Sequence, residues 1–327
     1  MKTLIVPCAG SHTFAGKPLF LQRHPGGKWV YEKTIEGIYP QQYDRIIYIV
    51  LDEAEKKYGA GKIIKEDMGR RYPIEIVVLP KMTSGPAETI YQIIKHCNIE
   101  GEVTVKDSHS FTRINQPCAG NYIAGLDLIV YSKHVESLRS KSFIMLNEQN
   151  HVLDVLEKKF RSDVISVGLY GFRSSKDYLF AYEHVNDKNY PIKKLYVSHI
   201  ISYLIGYKER VFHCVYAEDY EDWSTENTWK ALQKQYAICI LDIDALFGTE
   251  AVEEFSMELL QSLQHMSHNG VRFIACIASR DADDNMFQKF FASKGINCVC
   301  VIKGCLYSNA KIVVANREEL SDLMFEV

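Results

Sequence analysis

The stretch Ile74-Glu-Ile-Val-Val-Leu-Pro-Lys-Met-Thr-Ser-Gly-Pro-Ala-Glu-Thr-Ile-Tyr-Gln-Ile-Ile-Lys-His-Cys-Asn-Ile-Glu-Gly-Glu-Val-Thr-Val-Lys-Asp107 reads as a strand, a helix and a second strand in direct succession. Ile74 to Leu79 is a short apolar run. Gly85 suits the N-cap of a helix and Pro86 its first position, where the ring fixes a helical φ and the missing N–H is one the helix leaves unused. Ala87, Ile90, Tyr91 and Ile94 then recur at i, i+3, i+4 and i+7, which lays one apolar stripe along the helix. Gly101 to Lys106 is a further strand, closed by Asp107. Strands joined by a helical crossover form a parallel pair, because the connection has to bring the chain back to its starting end.

The same alternation extends outward. Thr3 to Pro7 and Arg45 to Leu51 read as strands, with a helical segment near Val30 to Ile38 between them. Together these predict an α/β, Rossmann-like domain on a mixed, mostly parallel sheet. Strand-like pieces follow at Phe143 to Leu146, His151 to Leu156 and Asp163 to Phe172, with a polar turn at Asn147 to Asn150. A second, smaller α/β pattern starts near Tyr236: strand Ala237 to Leu241, helix Glu250 to Met266, strand Val271 to Ile277, helix Asp284 to Lys294, then strands Cys298 to Ile302 and Lys311 to Val314. The expected boundary near Lys234 gives domains 1–234 and 235–327.

A chain of 327 residues, 47% hydrophobic and 24% charged, has the composition of an ordinary globular protein and excludes collagenous and largely disordered classes. Its net charge of −3 supplies no field to gather a polyanion, so nucleic acid is not expected as a partner. The nine cysteines show no C-x-x-C pair, which favours buried reduced thiols over a zinc site. The apolar run at the N-terminus is too short for a signal peptide or a membrane span, so it predicts a buried first strand in a cytoplasmic protein. A homo-oligomer stays open.

Three constellations carry chemistry. Small residues in Pro7-Cys-Ala-Gly-Ser-His-Thr-Phe-Ala-Gly-Lys-Pro-Leu19 let backbone N–H groups approach phosphate, with Lys17 as a mobile cation, although glycines in such loops more often just form turns. Asp107 closes an apolar strand, where ligands bind in open α/β sheets, and suits Mg²⁺ bridging phosphates; alone it equally suits a solvated turn. The acidic run Glu218-Asp-Tyr-Glu-Asp222 is followed by Ser224 or Thr225 as a helix cap, and is by itself an ordinary solvated surface. Asp222 gains meaning if it meets Asp107.

Taken in order with Glu157-Lys158 and Val167-Gly-Leu-Tyr-Gly-Phe172, these motifs resemble the sugar-phosphate nucleotidyltransferase family, with its GT-A-like fold, over roughly Met1 to Gln233. The resemblance implies that Ala9, Gly10, Ser11 and Lys17 hold a nucleoside triphosphate and that Thr83, Ser84, Gly85 and Ala87 lie against the base. It implies Asp107 and Asp222 as Mg²⁺ ligands, and Lys158, Gly168 and Tyr170 at a phosphorylated acceptor. Lys17, Asp107, Lys158 and Asp222 are then the catalytic set, for a reaction that releases pyrophosphate and supplies a polysaccharide precursor. One departure stands out: the family's Gly-x-Arg is replaced by Ser11-His-Thr-Phe14, which leaves Arg23, His24 and Lys28 as candidates to reach the site, each equally readable as a surface residue.

The second domain resembles a small haloacid-dehalogenase-like phosphatase through Leu241-Asp-Ile-Asp-Ala-Leu-Phe247. That resemblance implies Asp242 as nucleophile, Asp244 as acid/base, Ser279 on phosphate and Lys303 or Lys311 as cation. Ala245 replaces the usual glycine and Val313 to Arg317 lacks an acidic pair, which points to a degenerate domain with a structural, binding or dimerising role. Two rival functions remain: a nucleotide-sugar-dependent glycosyltransferase, and a nucleotide-binding scaffold without turnover.

Overall fold

The computed structural model describes residues 1–10, 12–14, 16–24, 28–128, 138–186, 194–236, 239–243, 257–268, 273–277, 284–296, 298–303 and 313–314. The chain divides into two compact units, one of Met1–Thr13, Pro18–Phe20 and Tyr31–Thr225, the other of Phe14–Lys17, Leu21–Val30 and the chain from Glu226 onward. The second unit thus includes part of the first loop as well as the C-terminal segment.

The first unit opens with β1 (Lys2–Pro7), and the first loop carries the two-residue strands β2 (Thr13–Phe14) and β3 (Lys17–Pro18). There follow α1 (Val30–Glu36), β4 (Arg45–Leu51), α2 (Asp52–Tyr58), α3 (Ala60–Met68), β5 (Ile74–Leu79), α4 (Pro86–His96), β6 (Glu102–Lys106), β7 (Ser110–Ile114) and β8 (Tyr122–Asp127). β9 (Ser142–Leu146), β10 (Val152–Glu157), β11 (Val164–Phe172), α5 (Ser175–Val185), α6 (Val197–Lys208) and β12 (His213–Asp222) complete it.

Ten strands form one mixed sheet whose main path is β5-β4-β1-β6-β11-β8-β12-β7, with β9 beside β11 and β10 beside β9. β5, β4, β1 and β6 are parallel, while β11 runs antiparallel to both β6 and β8. Their side chains explain the parallel part. Leu4, Ile5 and Val6 of β1 and Ile46 to Val50 of β4 are all fully buried, as strands covered on both faces must be. Alternation along β4 shows the two layers. Ile47 and Ile49 join a cluster with Ile90, Ile94, Tyr178 and Ile201 from α4, α5 and α6, whereas the Tyr48 hydroxyl between them donates to the Tyr31 carbonyl at 2.7 Å and lies against Met68 of α3. Each such buried aliphatic side chain contributes about 1.5–3 kcal/mol.

The predicted α4 is found with Gly85 as its N-cap and Pro86 in its first turn. Ala87, Ile90 and Ile94 are buried, and Tyr91 at the margin stacks on Tyr182 with ring centroids 4.2 Å apart. Gly85 has a packing reason: a Cβ there would come within 2.6 Å of the Leu195 carbonyl oxygen. The sequence pattern did not disclose α2, α3, α5, α6, β7, β8 or β12. The acidic run belongs to β12, whose partners β7 and β8 are distant in sequence.

The second unit contains α7 (Glu226–Tyr236), β13 (Cys239–Asp242), α8 (Met257–His268), β14 (Phe273–Ile277), α9 (Asp284–Ser293), β15 (Cys298–Lys303) and β16 (Val313–Val314). Its four described strands are parallel in the order β15-β14-β13-β16. Trp229 of α7 is buried, with Phe14 stacked at 6.4 Å and His24 edge-on at 6.3 Å. No helix among the described residues is long and apolar enough to cross a membrane.

Candidate active site

In the order β5-β4-β1-β6 the chain moves one way from β1 to β4 and β5, then crosses to the other side of β1 to form β6. The loops leaving the carboxyl ends of β1 and β6 therefore diverge and leave a crevice, which is where open α/β sheets bind ligands. A cavity of about 510 Å³ occupies this place. Pro7, Ala9 and Gly10 come to it from β1, and Asp107 to Ser110 from β6. The segment Met82 to Pro86 presents the start of α4. Opposite strands add Lys141, Ser142, Glu157, Lys158, Gly168 and Tyr170, and the entry to α6 adds Lys194, Tyr196 and Ser198.

A bulge positions Asp107. The register of β11 on β8 shifts between Ser166 and Tyr170, and Gly168 within the shift takes φ +73°. Its carbonyl accepts the Asp107 N–H at 2.8 Å, and a Cβ on Gly168 would lie 2.6 Å from Asp107 Oδ2. Only glycine offers both the left-handed φ and this clearance.

Charges around Asp107 are unusually sealed. Lys106 is fully buried; its ammonium donates to the carbonyls of Asp107 (2.9 Å) and Ser110 (2.8 Å) and to the Ser110 hydroxyl (2.7 Å). Burial lowers the Lys106 pKa, and burial raises that of Asp107 against the pull of Lys106 and Lys141. Asp222 receives Lys141 Nζ on Oδ2 at 2.9 Å, with side-chain exposures of 3% and 9% respectively. Its Oδ1 accepts the Ser224 N–H at 2.9 Å. Burial raises the Asp222 pKa, but Lys141 and Ser224 together hold it well below the ordinary carboxylate value. His109 Nε2 lies 4.0 Å from Asp107 Oδ2, and its ring is 4.9 Å from that of His12. Burial, with cationic neighbours, brings His109 down to about 3, so it is a neutral imidazole.

A second polar group is built on β9, β10 and α6. Glu157 pairs across the ladder with Ser142. Its Oε2 accepts hydroxyls from Ser142 (2.5 Å) and Ser198 (2.7 Å). Lys158 follows at φ 56°, a left-handed conformation that few non-glycine residues hold, and its ammonium donates to the Tyr196 hydroxyl at 2.9 Å.

Of the residues singled out in the sequence, Ala9, Gly10, Thr83, Ser84, Gly85, Asp107, Lys158, Gly168 and Tyr170 line this one cavity. Ser11 lies outside the described residues. Ala87 is fully buried in the core cluster, and Asp222 is buried behind Lys141. Lys17 belongs to the second unit, where its ammonium lies 5.4 Å from the Trp29 ring; Arg23 stacks on the same ring at 3.7 Å. His24 is buried against Trp229, and Lys28 offers its carbonyl to the His24 N–H at 2.8 Å. Asp242 and Lys303 end β13 and β15, while Asp244, Ser279 and Lys311 lie outside the described residues.

Divalent metal was expected on Asp107 and Asp222 together. As arranged, the two do not fit a shared octahedral site, because Asp222 is buried against the Lys141 ammonium, a cation that a metal would have to displace, and of the two only Asp107 lines the cavity. Among the described residues no group of three or more His, Cys, Asp and Glu side chains is placed to hold a metal ion. Residues missed from sequence are Lys106, Lys141, His12, His109 and Tyr196. Lys106 left a trace, a lysine inside an otherwise apolar strand; Lys141 left none.

No protein-family model matches the chain, and no curated protein matches it in sequence. Solved structures do share its fold. A nucleoside-diphosphate-sugar pyrophosphorylase from Vibrio cholerae RC9 is 18% identical with a TM-score of 0.56, covering 72% of this chain and 100% of its own. The inositol-1-phosphate CTP transferase from T. maritima is 11% identical (TM-score 0.52, 72% of this chain, 96% of its own). A UDP-glucose pyrophosphorylase complexed with UDP-glucose is 10% identical (TM-score 0.54, 72% and 98%). At these identities the likeness is one of fold: a nucleotidyltransferase-type, Rossmann-like α/β sheet.

Proposed function

We propose that the first unit transfers a nucleotidyl group from a nucleoside triphosphate to a phosphorylated sugar or polyol. One observation carries this: the cavity at the β1/β6 crevice joins the small residues Ala9 and Gly10 after β1 to Lys141 and Lys194 and to a separate Glu157–Lys158–Tyr196 group. An acceptor phosphate oxygen attacks the α-phosphorus, the bond from that phosphorus to the α,β-bridging oxygen breaks, and pyrophosphate leaves. Such transfer needs alignment and charge neutralisation more than covalent help. Lys141 and Lys194 supply positive charge, and Lys158 faces the acceptor phosphate, with Glu157 accepting from its hydroxyls. A Mg²⁺ ion accompanying the triphosphate would neutralise phosphate charge, and Asp107, which lines the cavity, would be the carboxylate to face it. Thr83 to Gly85, at the start of α4, contact the base. We further propose that the product serves as a precursor for surface polysaccharide.

One observation favours binding without turnover. The loop stretch 11–14, where the resemblance expects arginine, ends in Phe14, which stacks on Trp229 in the second unit. For that unit we propose a haloacid-dehalogenase-like module in a binding or dimerising role. Its strand order again turns back at the first strand, beside Asp242. Pyrophosphate release is the deciding assay, with Mg²⁺, each common triphosphate and a panel of sugar and polyol phosphates. Release that needs one triphosphate and one acceptor supports transfer; nucleotide binding with no release supports a sensor or scaffold; release of a nucleoside diphosphate from a nucleotide sugar indicates a glycosyltransferase.

A further inference from the structure

We propose that Lys141 is the resident counter-cation of Asp222, so that the nucleotide-free protein carries no preformed two-carboxylate site for a divalent ion. Three contacts hold the ammonium and its backbone in place. Nζ meets Asp222 Oδ2 at 2.9 Å and the Tyr220 hydroxyl at 2.7 Å, and the Lys141 carbonyl accepts the Lys158 N–H at 3.1 Å. Because β9 starts at Ser142 and pairs Ser142 with Glu157, the ladder itself delivers Lys141 to this point.

A Mg²⁺ ion bound by both carboxylates needs their oxygens about 2.0–2.1 Å away, in a shell that has no room for an ammonium. Expelling Lys141 would leave a nearly buried lysine without its carboxylate, which is strongly unfavourable. The fold has therefore set a fixed positive charge against one of the two carboxylates such a site would need. Lys141 also lines the cavity. Only the catalytic meaning of this arrangement rests on the transferase reading; the ion pair and its test do not.

The test is Mn²⁺ titration of the full chain without nucleotide, followed by the paramagnetic resonance signal of the free ion. Asp222→Asn is expected to leave Mn²⁺ affinity within twofold of native. Lys141→Met frees Asp222 to act with Asp107 and is expected to tighten binding at least tenfold, and the Lys141→Met/Asp222→Asn double variant to return it to the native value. A tenfold loss in Asp222→Asn overturns the proposal, as does an unchanged affinity in a folded Lys141→Met. Should Lys141→Met fail to fold, the comparison of native with Asp222→Asn decides by itself. Pyrophosphate release is measured separately, and its absence would remove the transferase reading while the Mn²⁺ result stands.

Discussion

Two charged clusters at the cavity are tied by one backbone hydrogen bond, Lys158 N–H to the Lys141 carbonyl, yet they are built differently. Around Asp107, the charges of Lys106, Lys141 and Asp222 are sealed in the sheet and paired by other protein groups. Around Glu157, the Lys158–Tyr196 contact is exposed to solvent and is made by the entry to α6. Buried charges are costly to rearrange, whereas exposed ones are screened and tolerant of change. Under the proposed transfer, the sealed cluster would serve the chemistry common to any acceptor and the wet cluster would set acceptor preference.

Four substitutions test that contrast, beginning with the sealed cluster. Asp107→Asn is expected to lower pyrophosphate release about a thousandfold with little change in Tm, since it removes charge and keeps shape. Retained activity would break the assignment. Gly168→Ala places a methyl against Asp107 Oδ2 at a φ of +73°. It should lower turnover about a hundredfold and stability by about 1–3 kcal/mol. A thermal melt alongside the rate separates the two effects.

His109 sharpens the contrast through pH. Its folded pKa is depressed from 6.5 to about 3, by burial first and then by His12 and Lys141. The unfolded chain therefore takes up the extra proton as pH falls below 6.5, so the stability linked to neutral His109 is complete above 6.5 and is lost progressively toward 3. Between pH 7.5 and 5 the loss should be on the order of 2 kcal/mol, and His109→Gln should lose correspondingly less when Tm is compared at the two values. The smallest effect is expected at the wet cluster. Glu157→Gln should raise the acceptor KM about tenfold, roughly 1.4 kcal/mol, and leave the triphosphate KM unchanged. Equal effects on both would dissolve the distinction between the clusters.

Much of the frame was legible in local pattern. The apolar runs that became β1, β4, β5 and β6, and the capped stripe of α4, announce themselves because burial on both faces leaves short unbroken apolar runs and burial on one helix face leaves a spacing near four. Asp107 could be singled out because it follows such a run. The helices α5 and α6 went unread although Tyr178, Ala181, Tyr182 and Val185 in one and Val197, Ile200, Ile201 and Leu204 in the other recur at i, i+3, i+4 and i+7, because further apolar residues such as Leu179, Phe180, Tyr203 and Ile205 lie off those stripes and blur them. Lys17 shows the opposite problem. Its place in a small-residue loop suggested phosphate, but the structure gathers Phe14–Lys17 into the second unit, against Trp29. Sequence adjacency to Gly10 says nothing about which aromatic rings a loop will meet.

By itself, the sequence determined the α/β class, the parallel start of the sheet, the start of α4 and the strand-end position of Asp107, because each depends on neighbours within a few residues. Only the tertiary structure decided that Asp222 is answered by Lys141, that Glu157 is held by Ser142 and Ser198, and that a bulge at Gly168 makes room for Asp107. Those contacts join strands and helices as many as 81 residues apart, counting from Lys141 to Asp222 (222 − 141). Their partners are chosen by strand register and helix packing, which no local pattern of hydrophobicity encodes.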